Sequence, residues 1–131
     1  MELSREDEIR SRLGDIAGPD PGEAERALIV RLIRSYVAKT PAGVDRLGEL
    51  LRGGDDEAVR DHAHGLKGSA SNIGAGTLSA LFAGVETAAR AGAVRDPEVT
   101  LGRIRAEQAV TLVALERVAA ELDGRHSPPG A

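Results

Sequence analysis

Residues 61–75 read DHAHGLKGSASNIGA, and within them His64, Lys67 and Gly68 recur at three- and four-residue intervals. On an α-helix, at about 100° per residue, these positions share one face with Arg60, Asp61 and Ser71. Val59, Ala63, Leu66, Ala70 and Ile73 form a separate apolar row, spaced by four, three, four and three. His64 is therefore expected to face solvent, with a cation one turn on and bare backbone beside it. A neutral imidazole is a competent nucleophile near neutral pH, because its unperturbed pKa is about 6.5. Lys67 would stabilise negative charge arriving at His64, as a point charge suited to phosphate. Gly68 and Gly65 each cost a helix about 1 kcal/mol relative to Ala. That cost has a reason where a partner's backbone must come close. A carboxylate accepting from Nδ1–H would fix the tautomer and leave the Nε2 lone pair pointing outward. Glu86, flanking the Leu78, Phe82 and Val85 stripe of the next predicted helix, is the candidate for that role. Together these residues describe a phosphate-accepting histidine.

Competing chemistries fit less well. His62 points about 200° away from His64, toward the core edge, and is expected to be structural. The same phase rules out a metal site built on the H-x-H pair, since ligands on one helix need spacings of three or four. GLKGS lacks the order and the preceding strand of a phosphate-binding loop, so nucleotide binding is rejected. Ser69 and Ser71 are assigned structural roles, and Arg60 and Arg90 are read as surface charges.

The elements that must position His64 are helices throughout. Ser4 can cap a short first helix to about Leu13, and GDIAGPDPG (14–22) then reads as loop. From Glu23 to about Lys39, Ala24, Leu28, Leu32 and Tyr36, joined by Ile29, Ile33 and Val37, fall in helical rows. Thr40-Pro41 is expected to end that helix and to start a short one carrying Val44, Leu47, Leu50 and Leu51. Gly53-Gly54 closes it, and Asp55 or Asp56 caps the helix of the opening motif, which runs to about Asn72. A further helix spans roughly Ala75 to Ala91 and ends at Gly92. Asp96-Pro97-Glu98 starts the last one, on which Leu101, Ile104, Gln108, Leu112, Leu115, Val118 and Leu122 form the inward row. No strand-like alternation occurs. The chain reads as an all-α bundle of four longer helices and two short ones. GRHSPPGA (124–131) is expected to be a disordered tail.

Composition narrows the function further. The chain has 131 residues, enough for one domain with a real core. Its net charge of −4 argues against a general nucleic-acid binder. The uncharged run between Lys67 and Glu86 approaches the roughly 18 residues of a membrane span, but it is too rich in Gly, Ser, Asn and Thr to be one. The charged N-terminus MELSREDEIR has no signal-peptide core. With no cysteine there is no disulfide or thiolate metal site, which fits a cytoplasmic protein.

Ala63-His64-Gly65-Leu66-Lys67-Gly68-Ser69-Ala70, then Asn72-Ile73-Gly74-Ala75 and Leu78, resembles the signature of histidine-containing phosphotransfer (HPt) domains. The stretch VETAARAG (85–92) resembles the family's element on the following helix, and the likeness in organisation extends from about residue 22 to 122. The resemblance implies an antiparallel four-helix bundle over 22–123, preceded by a short helix and loop at 1–21. It implies phosphorylation of His64 through Nε2, Lys67 near the phosphoryl group, and space left by Gly68 for a docking receiver domain. Glu86 matches the position where family members carry a Gln or Glu bonded to the histidine ring. The implied protein is a phosphocarrier without ATP-dependent kinase activity of its own, needing no cofactor and no metal. Its implied partners are response-regulator receiver domains, which bring their own Mg²⁺, and a hybrid histidine kinase. No nucleic acid or membrane is expected to be bound, and the protein is expected to be a monomer. The other function weighed is a helical adaptor that docks a receiver domain without phosphotransfer. Ile9 and Leu13 of the first helix are candidates to extend the docking surface. Met1 on a short charged lead, with a loose tail at the other end, favours a free-standing protein.

Overall fold

Five of the helix boundaries follow from local capping chemistry. In the computed structural model, which describes residues 4–124, Ser4 accepts a hydrogen bond from the Asp7 amide at 3.1 Å and opens α1 (Arg5–Ala17). Asp55 does the same for the Ala58 amide at the head of α3 (Asp56–Asn72). Gly54 and Gly92, both with positive φ, follow the ends of α2 (Glu23–Gly53) and α4 (Gly76–Arg90). Their missing side chains make the left-handed turn accessible. Pro97 opens α5 (Pro97–Gly124). Among the described residues there is no strand, and the helices form an antiparallel bundle in which α3 packs most extensively on α4, and α2 on α5.

The break expected at Thr40-Pro41 does not occur: α2 runs unbroken from Glu23 to Gly53 with Pro41 inside it. Pro41 cannot donate to the Val37 carbonyl, yet the apolar row crosses it without losing phase. Ile29, Ile33, Thr40, Val44, Leu47 and Leu51 are all buried, so one straight row serves one core. Thr40 is no cap either. Its hydroxyl turns back and donates to the Tyr36 carbonyl at 2.7 Å.

α1 is longer than expected, running through Gly14 to Ala17 before Gly18 (φ +81°) ends it. Its Ile9 and Leu13 are buried in the core, not displayed for docking. Helix α1 lies against α5 and α4. It is pinned where Arg5 donates twice to the Glu107 carboxylate, at 2.7 and 2.9 Å. Gly74, at φ +85°, lies so close to α1 that a Cβ there would come within 2.8 Å of Ile9 Cα. The turn between α3 and α4 therefore exists in this form only because residue 74 is glycine.

The core is Leu, Ile, Val and Ala around a single fully buried Phe82. On α2, Ile29 and Ile33 take the core, whereas Leu28 and Leu32 of the neighbouring row stay about half exposed. On α5 the buried set is Leu101, Ile104, Thr111, Ala114, Leu115, Val118 and Ala119, with Gln108, Leu112 and Leu122 only partly covered. The expected tail lies outside the described residues, apart from Gly124, which closes α5.

Candidate functional site

α3 presents His64 midway along its length, with 67% of the side chain exposed. Its Nδ1 lies 2.8 Å from Oε2 of Glu86, whose side chain is only 7% exposed. The other carboxylate oxygen, Oε1, accepts from Lys67 Nζ at 2.6 Å. Three sequence candidates, two from α3 and one from α4, thus meet at one buried carboxylate. Gly68 lies one turn beyond His64. A Cβ built there, or at Gly65, would meet nothing within 4 Å, so no internal packing requires either glycine.

The ionised state of Glu86 sets the tautomer of the ring. The Lys67 ammonium, foremost, and the His64 ring hold the Glu86 carboxyl below the usual carboxylate range, against the opposing effect of its own burial. An ionised carboxylate can only accept hydrogen bonds, so the proton between the pair sits on His64 Nδ1. In the neutral ring Nε2 then holds the lone pair. His62 is arranged the other way round: its Nε2 lies 2.8 Å from the Gly43 carbonyl of α2, which can only accept. Two histidines separated by one residue therefore carry opposite tautomers, one held by a side chain and one by backbone.

Two contributors escaped the sequence reading. Arg90, taken there as a surface charge, places Nη2 3.2 Å from Glu86 Oε2, one helical turn on along α4. Its four-residue spacing from Glu86 was the available signal. Ser79 of α4 is buried and donates to the Lys67 carbonyl at 3.1 Å, while its Oγ lies 2.6 Å from Ser71 Oγ. Ser71 therefore bonds across to α4, not back onto its own helix. Among the described residues no cluster of His, Asp and Glu suited to a metal ion occurs.

Leu32, Tyr36 and Lys39 of α2, Leu66 and Ser69 of α3, and Ile73 just past the end of α3 line an open, largely apolar groove of about 370 Å³. Ser69 and Gly65 lie between Leu66 and the His64 face in helical phase. The exposed Leu32 is thus one wall of this groove.

Fold and site define a class: an antiparallel helical bundle presenting one exposed histidine, its ring oriented by a buried carboxylate from the adjacent helix. A family model described as the Hpt domain matches residues 31–124, most of the chain, and the protein belongs to that family. No curated protein and no solved structure matches the chain at a significant level. The family consists of phosphocarriers, not kinases, which act in phosphorelay signalling. None of the described helices is long and apolar enough to cross a membrane.

Proposed function

We propose that the protein relays a phosphoryl group between receiver-domain aspartates and His64 in a multistep phosphorelay. The observation that carries this reading is the 2.8 Å contact between His64 Nδ1 and the buried Glu86 carboxylate, on a ring otherwise open to solvent.

The chemistry follows from the tautomer. The Nε2 lone pair attacks phosphorus of an aspartyl phosphate on the partner. The N–P bond forms as the P–O bond to the aspartate breaks, and that electron pair returns to the aspartate carboxylate. Nδ1 keeps its proton throughout, and the positive charge the ring takes up is met by Glu86. Lys67, which spends one N–H on Glu86, has others to offer the incoming phosphoryl oxygens in this reading. Reversal, with water excluded by the docked partner, passes the group to a second receiver. The bundle contributes a positioned nucleophile, and most of the charge stabilisation belongs to the receiver.

A receiver has room to approach over Gly68 and Gly65, where the helix backbone is bare, and to cover the α2–α3 groove beside them. The partners of this reading are response-regulator receiver domains and a hybrid histidine kinase, the setting is the cytoplasm, and the working unit is the monomer. Incubation with a receiver domain phosphorylated on its aspartate tests it. Wild type is expected to take up an acid-labile label, and His64→Gln to take up none. A wild type that stays unlabelled while binding the receiver equally well with His64→Ala would instead identify a docking adaptor.

A further inference from the structure

α4 is fastened to α3 at two polar points on the same face of α4. Ser79 and Glu86 are seven residues, close to two turns, apart, which puts them in one row about 10 Å long. At the Glu86 end side chains meet, His64 and Lys67 against the carboxylate. At the Ser79 end a side chain meets backbone. Its single hydroxyl proton goes to the Lys67 carbonyl, so Ser71 Oγ must be the donor across the 2.6 Å contact between the serines. The Lys67 carbonyl is inside α3 and has a second lone pair beyond its helical bond, which the Ser79 hydroxyl uses. Lys67 is thereby held at both ends by α4, its backbone by Ser79 and its ammonium by Glu86. α4's own N-cap, Ala75, has no capping side chain, and its first-turn Thr77 reaches Glu8 of α1 instead of α3.

From this we infer that Ser79 is a positioning residue for His64: its bond to the Lys67 carbonyl sets the register in which α4 lies along α3, and so the distance at which Glu86 meets Nδ1. The inference deepens the phosphotransfer reading and rests on it for its consequence. A helix moves along its axis as a unit, so slip permitted at Ser79 arrives at Glu86. The His64–Glu86 contact, at 2.8 Å, leaves hydrogen-bond range once such slip lengthens it by about 0.5–0.8 Å. Ser79 is 8% exposed, so water cannot freely replace the lost hydroxyl.

The test reads the ring directly. Nitrogen-15 NMR of the full chain at a pH where both imidazoles are neutral reports the tautomer of each. Wild-type His64 should carry its proton on Nδ1 and His62 on Nε2. In Ser79→Ala, His64 should move toward the Nε2–H form that free imidazole side chains prefer, while His62, bonded to α2, stays as it was. Transfer from a phosphorylated receiver should then fall about ten-fold, as for a nucleophile misplaced by a fraction of an ångström. Ser71→Ala removes the serine pair but keeps the Lys67 bond and should leave His64 unchanged. An unmoved His64 tautomer in Ser79→Ala, a change in both histidines together, or an equal change in Ser71→Ala overturns the inference. Because the tautomer measurement needs no receiver, failure of wild type to accept phosphate would count against the functional reading alone.

Discussion

Gly68 offers a test in which stability and activity must move in opposite directions. A glycine in a helix interior costs about 0.8–1 kcal/mol relative to alanine, chiefly in backbone entropy. At Gly68 and at Gly65 that cost is not offset by packing, since an added Cβ meets nothing within 4 Å at either. Gly68→Ala should therefore stabilise the folded chain by about 1 kcal/mol, and the double change with Gly65→Ala by about 1.5–2 kcal/mol. For a chain of this length each kcal/mol raises the melting temperature by about 4 °C. Gly68→Gln keeps part of the helix gain while filling the bare patch beside His64. If a receiver must approach there, transfer at sub-saturating receiver should drop at least ten-fold, equivalent to about 1.4 kcal/mol of lost docking energy. Circular dichroism melts and the initial rate of label transfer read the two effects separately. Unchanged transfer in Gly68→Gln would falsify the close-approach argument, and a lowered melting temperature in Gly68→Ala would show that the fold itself needs the glycine. The same pair of measurements at Gly65 decides whether the partner's footprint reaches the groove side of α3.

Two further changes probe what holds the site in place. Gly74→Ala forces a side chain into φ +85° and drives its Cβ to within 2.8 Å of Ile9 Cα, a backbone atom that cannot yield. Strain and overpacking together should cost about 2–4 kcal/mol in urea unfolding, and a loss under 1 kcal/mol would refute the packing argument. Glu107 is held below the usual carboxylate range by Arg5 first and by Thr111, against its burial. A carboxyl depressed by folding stabilises the folded state above its unfolded pKa, and that contribution disappears as pH falls through the folded value. Stability should thus decline below about pH 4.5, with Glu86 and Glu107 both contributing to the slope. Glu107→Gln should cost about 1–2 kcal/mol at pH 7, discounted for the partial exposure of Arg5, and should flatten the acid limb. An acid limb as steep as wild type would contradict this.

What could be read from the sequence was what lies within one helix. His64, Lys67 and Gly68 share a face of α3 by spacing alone, and helix ends are marked by the side-chain caps Ser4 and Asp55 and by the backbone character of Gly92 and Pro97. Contacts between helices carry no period. Ser79 meeting the Lys67 carbonyl was invisible for that reason, and Glu86 was reached only as a flank of an apolar stripe and by family likeness. Pro41 carries a local stop signal, but the apolar row crosses it unshifted, and burial of that row outweighs one lost backbone hydrogen bond. Leu28 and Leu32 misled because two adjacent rows of α2 are both apolar, and only the position of α3 and α5 decides which is covered. Arg90 was within reach, one turn from Glu86, but a surface arginine acquires meaning only once its carboxylate is known to be buried.

The boundary of the family match and the boundary of the folding unit differ here. A fragment cut at residue 31 would begin inside α2, eight residues after its first turn opens, and would leave α1 behind. It would lose Ile9 and Leu13 from the core, strip Glu107 of its Arg5 fork, and uncover Gly74 at the hinge between the two helices that assemble the histidine site. Such a fragment would contain every residue assigned to phosphate chemistry and still lack the helix that closes over the α3–α4 turn. Expression of this protein for exchange or for grafting onto a chimeric kinase should therefore start ahead of Ser4.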